Sequence, residues 1–260
     1  MNALASHRRH PAAIAILLLF GLVATGGLYS LLAPKPAQAA VATAGDVNAG
    51  KKLFLANCAT CHGLTGLGGL IGPNLAGVSA ASVDFQVGTV RMPPTGPTIQ
   101  AARNKNVKFS DEQIASLDAY VASLAPGPSI PDDQQAKGDG NVAHGNELFK
   151  VNCAMCHNFA GSGGALTLGK FAPSLRNVTG KHIFEAMLTG PQSMPVFSNN
   201  NLSAADKNDV ISYLHELDKN QNPGGLSLGN LGPVSEGMFI WIFGMGLMIA
   251  AAVWLGSKAA

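Results

Sequence analysis

The chain has 260 residues, with 17 basic and 15 acidic side chains and a formal net charge of +2. This near balance excludes a protein that binds nucleic acid through a basic surface. Only 12% of the residues are charged and 47% are hydrophobic, so part of the chain is expected to lie in lipid, and the length suits two small domains.

The first segment is an uncharged run of 23 residues from Pro11 to Ala33, preceded by Arg8 and Arg9. A cleaved signal peptide is the alternative, because Ala37-Gln38-Ala39 has the small residues of a cleavage site. The run exceeds the roughly 7–15 apolar residues of a signal peptide, and its length suits a helix that crosses a bilayer. We therefore predict a transmembrane helix or signal anchor over residues 1–36.

An internal repeat occupies the middle of the chain. The segments from Gly50 to His62 and from Gly145 to His157 share the pattern Gly-x-x-Leu-Phe followed by Asn-Cys-Ala-x-Cys-His, at a separation of 95 residues. Further along, Met92-Pro93 in the first unit corresponds to Met194-Pro195 in the second. A repeat of this kind indicates two structural units of the same fold.

Each unit is expected to end in a helix. Ser110 and Ser203 are predicted N-caps, and the apolar residues after each recur at intervals of three and four positions. The pattern predicts an all-α fold, with domains at 44–125 and 142–220. A linker rich in proline and glycine joins them at 126–141.

All four cysteines belong to the two Cys-x-x-Cys-His motifs. On one helical turn the two sulfurs of such a motif face the same way, so they can form thioethers to the vinyl groups of a haem while the histidine binds the iron. A zinc site would need both cysteine pairs, which lie in separate units, and a thioredoxin-like dithiol would need a βαβ pattern that the sequence lacks. We predict two covalently bound haem c groups, attached at Cys58, Cys61, Cys153 and Cys156, with His62 and His157 on the irons.

The sixth ligand of each iron distinguishes an electron carrier from an enzyme that binds peroxide or oxygen. Met92 is the only methionine between residues 40 and 140, so it is the predicted ligand in the first unit. Met187, Met194, His182 and His215 are the candidates in the second. Met194 is preferred because a proline follows it, as one follows Met92, and Met187 suits a core position on a helix. With His/Met ligation we expect electron transfer and no catalytic residues.

A basic cluster begins directly before the first Met-Pro pair and continues in the loop after it. It consists of Arg91, Arg103, Lys105 and Lys108. Such a cluster can dock an acidic redox partner, and a loop whose charges are simply solvated is the alternative.

The last segment is an uncharged run of 20 residues from Gly237 to Gly256, with Trp241 and Trp254 near its ends. Tryptophan prefers the membrane interface, and this length crosses a bilayer. We predict a connector over 221–236 and a transmembrane helix over 237–257.

The charges beside the two apolar segments predict the topology. Arg8, Arg9 and Lys258 flank the ends at the chain termini, and basic flanks remain in the cytoplasm. We therefore expect a cell-membrane protein with two helices, both termini in the cytoplasm and the two domains on the extracytoplasmic side.

At these residues the chain resembles the dihaem cytochrome c subunit of the actinobacterial cytochrome bcc complex, a quinol:cytochrome c oxidoreductase. The resemblance extends over nearly the whole length. Its most specific parts are Gly163 to Leu166, Leu188 to Gln192, Pro223-Gly224-Gly225 and Glu236-Gly237-Met238. It implies two tandem cytochrome c domains flanked by N- and C-terminal transmembrane helices.

The same resemblance implies partners and further site residues. The partners would be a cytochrome b subunit, a Rieske iron-sulfur subunit that supplies electrons to the first domain, and a terminal copper-containing cytochrome c oxidase that receives them from the second. The carbonyls of Pro73 and Pro173 would orient the imidazoles of His62 and His157.

Two other functions are open alternatives. A dihaem enzyme such as a peroxidase would need one haem with a vacant or displaceable ligand. The dihaem subunit of another type of cytochrome oxidase is expected to lack a membrane helix after the second haem, so the segment from Gly237 to Gly256 weighs against it.

Overall fold

The computed structural model describes residues 11–32, 45–94, 96, 98–104, 106–219 and 233–258. Several residues of the sequence-based predictions lie outside this part of the chain: Arg8, Arg9, the Ala37 to Ala39 segment, Lys105 and the connector around Pro223.

The described residues are mainly helical, as the apolar spacing predicts. The first repeat unit contains helices α2 (Val47–Asn57), α3 (Ala59–His62), α4 (Ser79–Gly88) and α5 (Asp111–Ala122). The second contains α6 (Val142–Asn152), α7 (Ala154–His157), α8 (Gly180–Thr189) and α9 (Ala204–Lys219). Helices α1 (Pro11–Leu32) and α10 (Pro233–Lys258) lie outside the repeat, and strands β1 (Gly164–Ala165) and β2 (Phe171–Ala172) form an antiparallel pair within the second unit.

The first and last helices of each unit pack against each other. In the first unit α2 crosses α5 at Gly50, where a Cβ atom would collide with the carbonyl oxygen of Ser116. Beside this crossing the rings of Phe54 and Tyr120 lie 5.1 Å apart. The glycine therefore permits the close approach, and the aromatic pair fills the core next to it.

The second unit repeats this crossing with the equivalent residues. Helix α6 meets α9 at Gly145, where a Cβ atom would collide with the carbonyl oxygen of Asp209. The rings of Phe149 and Tyr213 lie 5.4 Å apart. The repeated Gly-x-x-Leu-Phe pattern is thus a helix-packing motif, which explains why it precedes both Cys-x-x-Cys-His motifs.

Both predicted N-caps are confirmed. The Ser110 hydroxyl accepts a hydrogen bond from the backbone N–H of Gln113, whose side chain accepts one from the N–H of Ser110. Ser203 and Asp206 make the same reciprocal pair at the start of α9, at 3.1 Å and 2.9 Å. These bonds satisfy N–H groups that the first helical turn leaves without partners.

The two repeat units contact each other through α4 and α8. Lys181 on α8 forms an ion pair with Asp84 on α4, and the ring of His182 packs edge-on against Phe85. Glu185, one turn further along α8, is fully buried. The contact between the two units therefore buries ionisable side chains.

The predicted C-terminal membrane segment is a single helix. Within α10 the span Ser235–Lys258 is long and apolar enough to cross a bilayer, and its large side chains are exposed, as lipid-facing residues would be. Helix α1, considered by itself, has a shorter apolar stretch, Ile14–Tyr29.

Candidate functional site

The first Cys-x-x-Cys-His motif lies directly after α2. Helix α2 ends at Asn57, Cys58 separates it from α3, and His62 is the last residue of α3. Nδ1 of His62 lies 2.8 Å from the carbonyl oxygen of Pro73. A carbonyl only accepts, so Nδ1 carries the proton and Nε2 is left with the lone pair that binds a metal.

The second motif has the same geometry. Nδ1 of His157 lies 2.9 Å from the carbonyl oxygen of Pro173, so Nε2 is again the free ligand atom. Burial lowers the pKa of His157, against the opposing effect of the hydrogen bond to Pro173. A neutral imidazole, the form that binds iron, is therefore favoured. Both proline carbonyls orient the imidazoles as the resemblance implies.

The interval between histidine and proline is longer in the second unit, 16 positions against 11. The hairpin of β1 and β2 lies within this interval, and β2 ends at Ala172, directly before Pro173. The additional residues therefore fold back on themselves, and the carbonyl still reaches the imidazole.

A cavity of about 280 Å³ lies beside the second motif. Its walls include Cys153, Cys156 and His157 from the motif, and also Met194 from the Met-Pro loop. Most of the remaining walls are apolar side chains such as Phe149, Ile183, Leu175, Val210 and Leu214. This combination suits a large apolar ring with a metal centre, so the residues present fit a covalently attached haem.

The other candidate ligands of the second unit have different surroundings. Met187 lines the same cavity but is 2% exposed and belongs to the core around α8, as predicted from its helical spacing. His182 also lines the cavity, at the contact with the first unit. Met155, between the two cysteines, also lines the cavity but is 92% exposed. Met194 packs against the core and lines the cavity while lying outside the helix.

In the first unit the predicted residues share one apolar cluster. Met92 and Cys58 are both half-buried and pack against the core formed by Phe54, Leu117 and neighbouring side chains. The structure thus packs the predicted distal ligand and an attachment cysteine against the same apolar core.

The Cys58 and Cys153 thiols lack the lowered pKa of a reactive thiol. All four cysteines are free. Burial, followed by the charge of Cys156, raises the pKa of Cys153 to about 11, and burial also raises the pKa of Cys58. Redox-active dithiols need a lowered pKa, because the thiolate is the nucleophile. Among the described residues, the groups of three possible metal ligands contain no cysteine, so the two pairs do not converge on one zinc ion.

The structure corrects the prediction for Arg91. This residue was expected to belong to an exposed basic cluster, but it is only 7% exposed, and it donates to the hydroxyl of Thr89 while its guanidinium lies 4.7 Å from the centre of the Phe85 ring. Arg103 and Lys108 are exposed as expected. The prediction failed because Arg91 packs on Phe85 and faces the cavity beside the second motif instead of solvent.

Sequence reasoning also missed that the first unit contributes to the cavity of the second. Phe85, Thr89, Arg91 and the loop from Gln100 to Arg103 line that cavity. No local pattern indicates this contribution, because it depends on tertiary contacts between segments that are far apart in the chain.

Comparison with known families matches each unit separately. Residues 47–125 match the family described as Cytochrome c. Residues 140–214 match the family described as Cytochrome C oxidase, cbb3-type, subunit III. Both repeat units are therefore cytochrome c domains, in agreement with the predicted fold.

Curated relatives match the chain over nearly its whole length. One from Mycobacterium leprae, named "Cytochrome bc1 complex cytochrome c subunit", is 43% identical over 255 residues, which cover 94% of this chain and 87% of the relative. Another of the same name, from Corynebacterium efficiens, is 41% identical over 271 residues, covering 96% of this chain and 90% of the relative.

A shorter similarity connects the chain to an oxidase subunit. The "Cbb3-type cytochrome c oxidase subunit FixP" of Sinorhizobium medicae is 32% identical over 130 residues, covering 43% of this chain and 38% of the relative. The similarity to this class therefore extends over less than half of the chain, whereas the similarity to the bc1 complex subunits includes both terminal regions.

Proposed function

Because the chain belongs to the family of cytochrome c subunits of the cytochrome bc1 complex, we propose that it relays electrons from the Rieske iron-sulfur protein of that complex to a terminal copper-containing cytochrome c oxidase. It is an electron carrier of the respiratory chain within an oxidoreductase complex. It carries no substrate chemistry of its own in this proposal.

Two haem c groups perform the relay, one in each domain. The first haem is attached to Cys58 and Cys61, and its iron ligands are His62 and Met92. The second haem is attached to Cys153 and Cys156, and its iron ligands are His157 and Met194. When bound, the haem supplies reversible one-electron chemistry at its iron. The protein supplies the ligands, fixes each imidazole through a proline carbonyl and excludes water with apolar walls.

The observation that carries this proposal is the cavity of the second domain. It brings together two thiols, an imidazole with its Nε2 free and a methionine from a distant loop, within mainly apolar walls. A methionine thioether on each iron would leave no vacant position for peroxide, which favours a carrier over a dihaem peroxidase.

The location follows from the same family assignment and from α10. We place the protein in the cell membrane with α1 and α10 both crossing it and the haem domains on the extracytoplasmic side. The basic residues beside both apolar segments support cytoplasmic termini. In this arrangement the cytochrome b subunit lies beside the membrane helices.

Purification of the full chain from its native membrane in mild detergent tests the function. We expect an intact mass that exceeds the polypeptide by two porphyrins, and co-isolation of a cytochrome b and a Rieske protein. A chain that is isolated alone, carries no covalent haem or consumes peroxide would contradict the proposal. A variant with both Cys153 and Cys156 replaced by alanine is the matched control, and it should retain a single haem.

A further inference from the structure

A loop of the first domain, Gln100 to Arg103, lines part of the cavity of the second. The side chain of Gln100 donates to the carbonyl of Phe171 at 2.7 Å and accepts from the N–H of Phe171 at 2.8 Å. The side chain of Gln192 donates to the carbonyl of Ala101 at 3.0 Å. These three bonds fix the loop to two segments of the second domain, so its side chains are held against the cavity.

A buried cation that has no anionic partner among the described residues faces this cavity. Arg91 is 7% exposed and lines the cavity, yet its polar contact is the neutral hydroxyl of Thr89. The ion pairs among the described residues do not include it; the nearby Asp84 is paired with Lys181. Buried charges in proteins are normally compensated, because desolvation without a partner is costly.

A second cation lies at the mouth of the same cavity. Arg103 is largely exposed, lines the cavity and lies close enough to Arg91 for their charges to repel. Two guanidinium groups beside one apolar cavity form a site for an anionic group on a ligand that is otherwise apolar. Haem has this character, since its apolar ring carries two propionate carboxylates.

We propose that Arg91 and Arg103 of the first domain bind the propionate carboxylates of the haem held by the second domain. This inference rests on the proposed function, because it requires a haem in the second cavity. Guanidinium groups bind carboxylates in a bidentate manner, which positions the ligand as well as neutralising it.

This assignment couples the two haem sites. Arg91 is followed directly by Met92, the proposed ligand of the first iron, so adjacent residues of one chain segment contact both prosthetic groups. The segment therefore keeps the two sites at a fixed separation, as a relay between two haems requires. The positive charges also favour the reduced state of the second iron, because reduction removes one positive charge from it.

The test is a redox titration of the purified, haem-loaded complex that follows both haems optically. A variant with Cys153 and Cys156 replaced by alanine lacks the second haem, and it identifies which titration belongs to which domain. Arg91→Gln and Arg103→Gln should each lower the potential of the second haem. We expect about a tenfold change in its reduction equilibrium, which is 59 mV for a one-electron couple. The potential of the first haem should shift less than that of the second, because the two cations face the second cavity.

Two controls separate this effect from a general loss of charge or structure. Arg91→Lys retains the cation, so the reduction potential of the second haem should stay close to that of the parent protein. Lys51→Gln removes an exposed cation of α2 that does not line the cavity and should shift neither haem. If Arg91→Gln does not assemble, Arg103→Gln and Arg91→Lys provide the comparison.

The inference would be overturned if the glutamine variants carry both haems and the reduction potential of the second haem is unchanged. An equal shift in the reduction potentials of both haems would also overturn it. A failure of the proposed function has another signature, namely the lack of covalent haem in the unmodified chain.

Discussion

Nζ of Lys181 in the second domain lies 3.0 Å and 2.8 Å from the two carboxylate oxygens of Asp84 in the first. The Asp84 side chain is 10% exposed and that of Lys181 is 45% exposed. The pair is therefore partly desolvated, and removal of one partner leaves a buried charge uncompensated. This relationship joins the two domains at the contact between α4 and α8.

Replacement of Lys181 by methionine should destabilise the contact between the domains. The apolar stem is retained, but the carboxylate of Asp84 is left without its cation beside the buried Glu185. We expect a loss of about 2 kcal/mol in the free energy of unfolding, measured as a lower thermal midpoint of the haem-loaded protein. Lys137→Met is the matched control, because Lys137 pairs with Asp139 at 56% and 47% exposure and such pairs contribute about 1 kcal/mol or less. Equal effects of both substitutions would contradict this reasoning.

Glu185 predicts a pH dependence of stability. Burial, followed by the charge of Asp84, raises its pKa to about 10. At pH values between the ordinary glutamate pKa of about 4.3 and this raised pKa, Glu185 loses its proton in the unfolded chain and retains it in the folded protein. Stability is therefore highest below the ordinary value and falls as the pH rises through this window, by about 1.4 kcal/mol per pH unit.

Replacement of Glu185 by glutamine should remove this slope. The amide has the shape of the protonated acid and no charge to desolvate, so the variant should be more stable than the parent at pH 8 and similar to it at pH 5. Thermal midpoints recorded across this range provide the measurement. Glu147→Gln, at an exposed position of α6, should leave the slope unchanged. A parent protein whose midpoint does not fall toward pH 8 would show that Glu185 is ionised in the fold.

Local patterns in the sequence predict the individual domains well. The Gly50 and Gly145 crossings, the Ser110 and Ser203 caps and the thiol motifs depend on residues close together in the chain or repeated in both units. Helical spacing and capping act over a few residues, so a sequence pattern can reveal them.

Contacts between the domains are not predictable in this way. Lys181 and Asp84 are 97 positions apart, and the sequence around Arg91 does not reveal that this cation is buried and faces the cavity of the second domain. The hairpin of β1 and β2 has strands of two residues each, too short for an alternating pattern. These features depend on tertiary packing, which overrides local preference.

The helix crossing in the first domain should not tolerate a larger residue at Gly50. A methyl group there would collide with the backbone of α5 at Ser116, and backbone cannot yield as a flexible side chain can. We expect Gly50→Ala to cost about 1–3 kcal/mol, the usual range for overpacking, despite the better helix propensity of alanine. Lys51→Ala, at the exposed neighbouring position, is the control and should change the thermal midpoint little. A Gly50→Ala protein as stable as the parent would mean that α2 and α5 pack less closely.

Substitution of Met194 tests the proposed ligand of the second iron. Met194→Ala removes the thioether and opens a coordination position, so the second haem should bind carbon monoxide and its potential should fall. Met187→Leu is the matched control: Met187 lines the same cavity, but its 2% exposure and its place on α8 indicate a core residue. Leucine retains the volume, so the haem spectrum and potential should be preserved with a stability loss under about 1.5 kcal/mol. The opposite result, in which Met187→Leu lets the second haem bind carbon monoxide and Met194→Ala does not, would mean that the thioether ligand is Met187 on α8. The correspondence between the two Met-Pro pairs would then reflect loop structure alone.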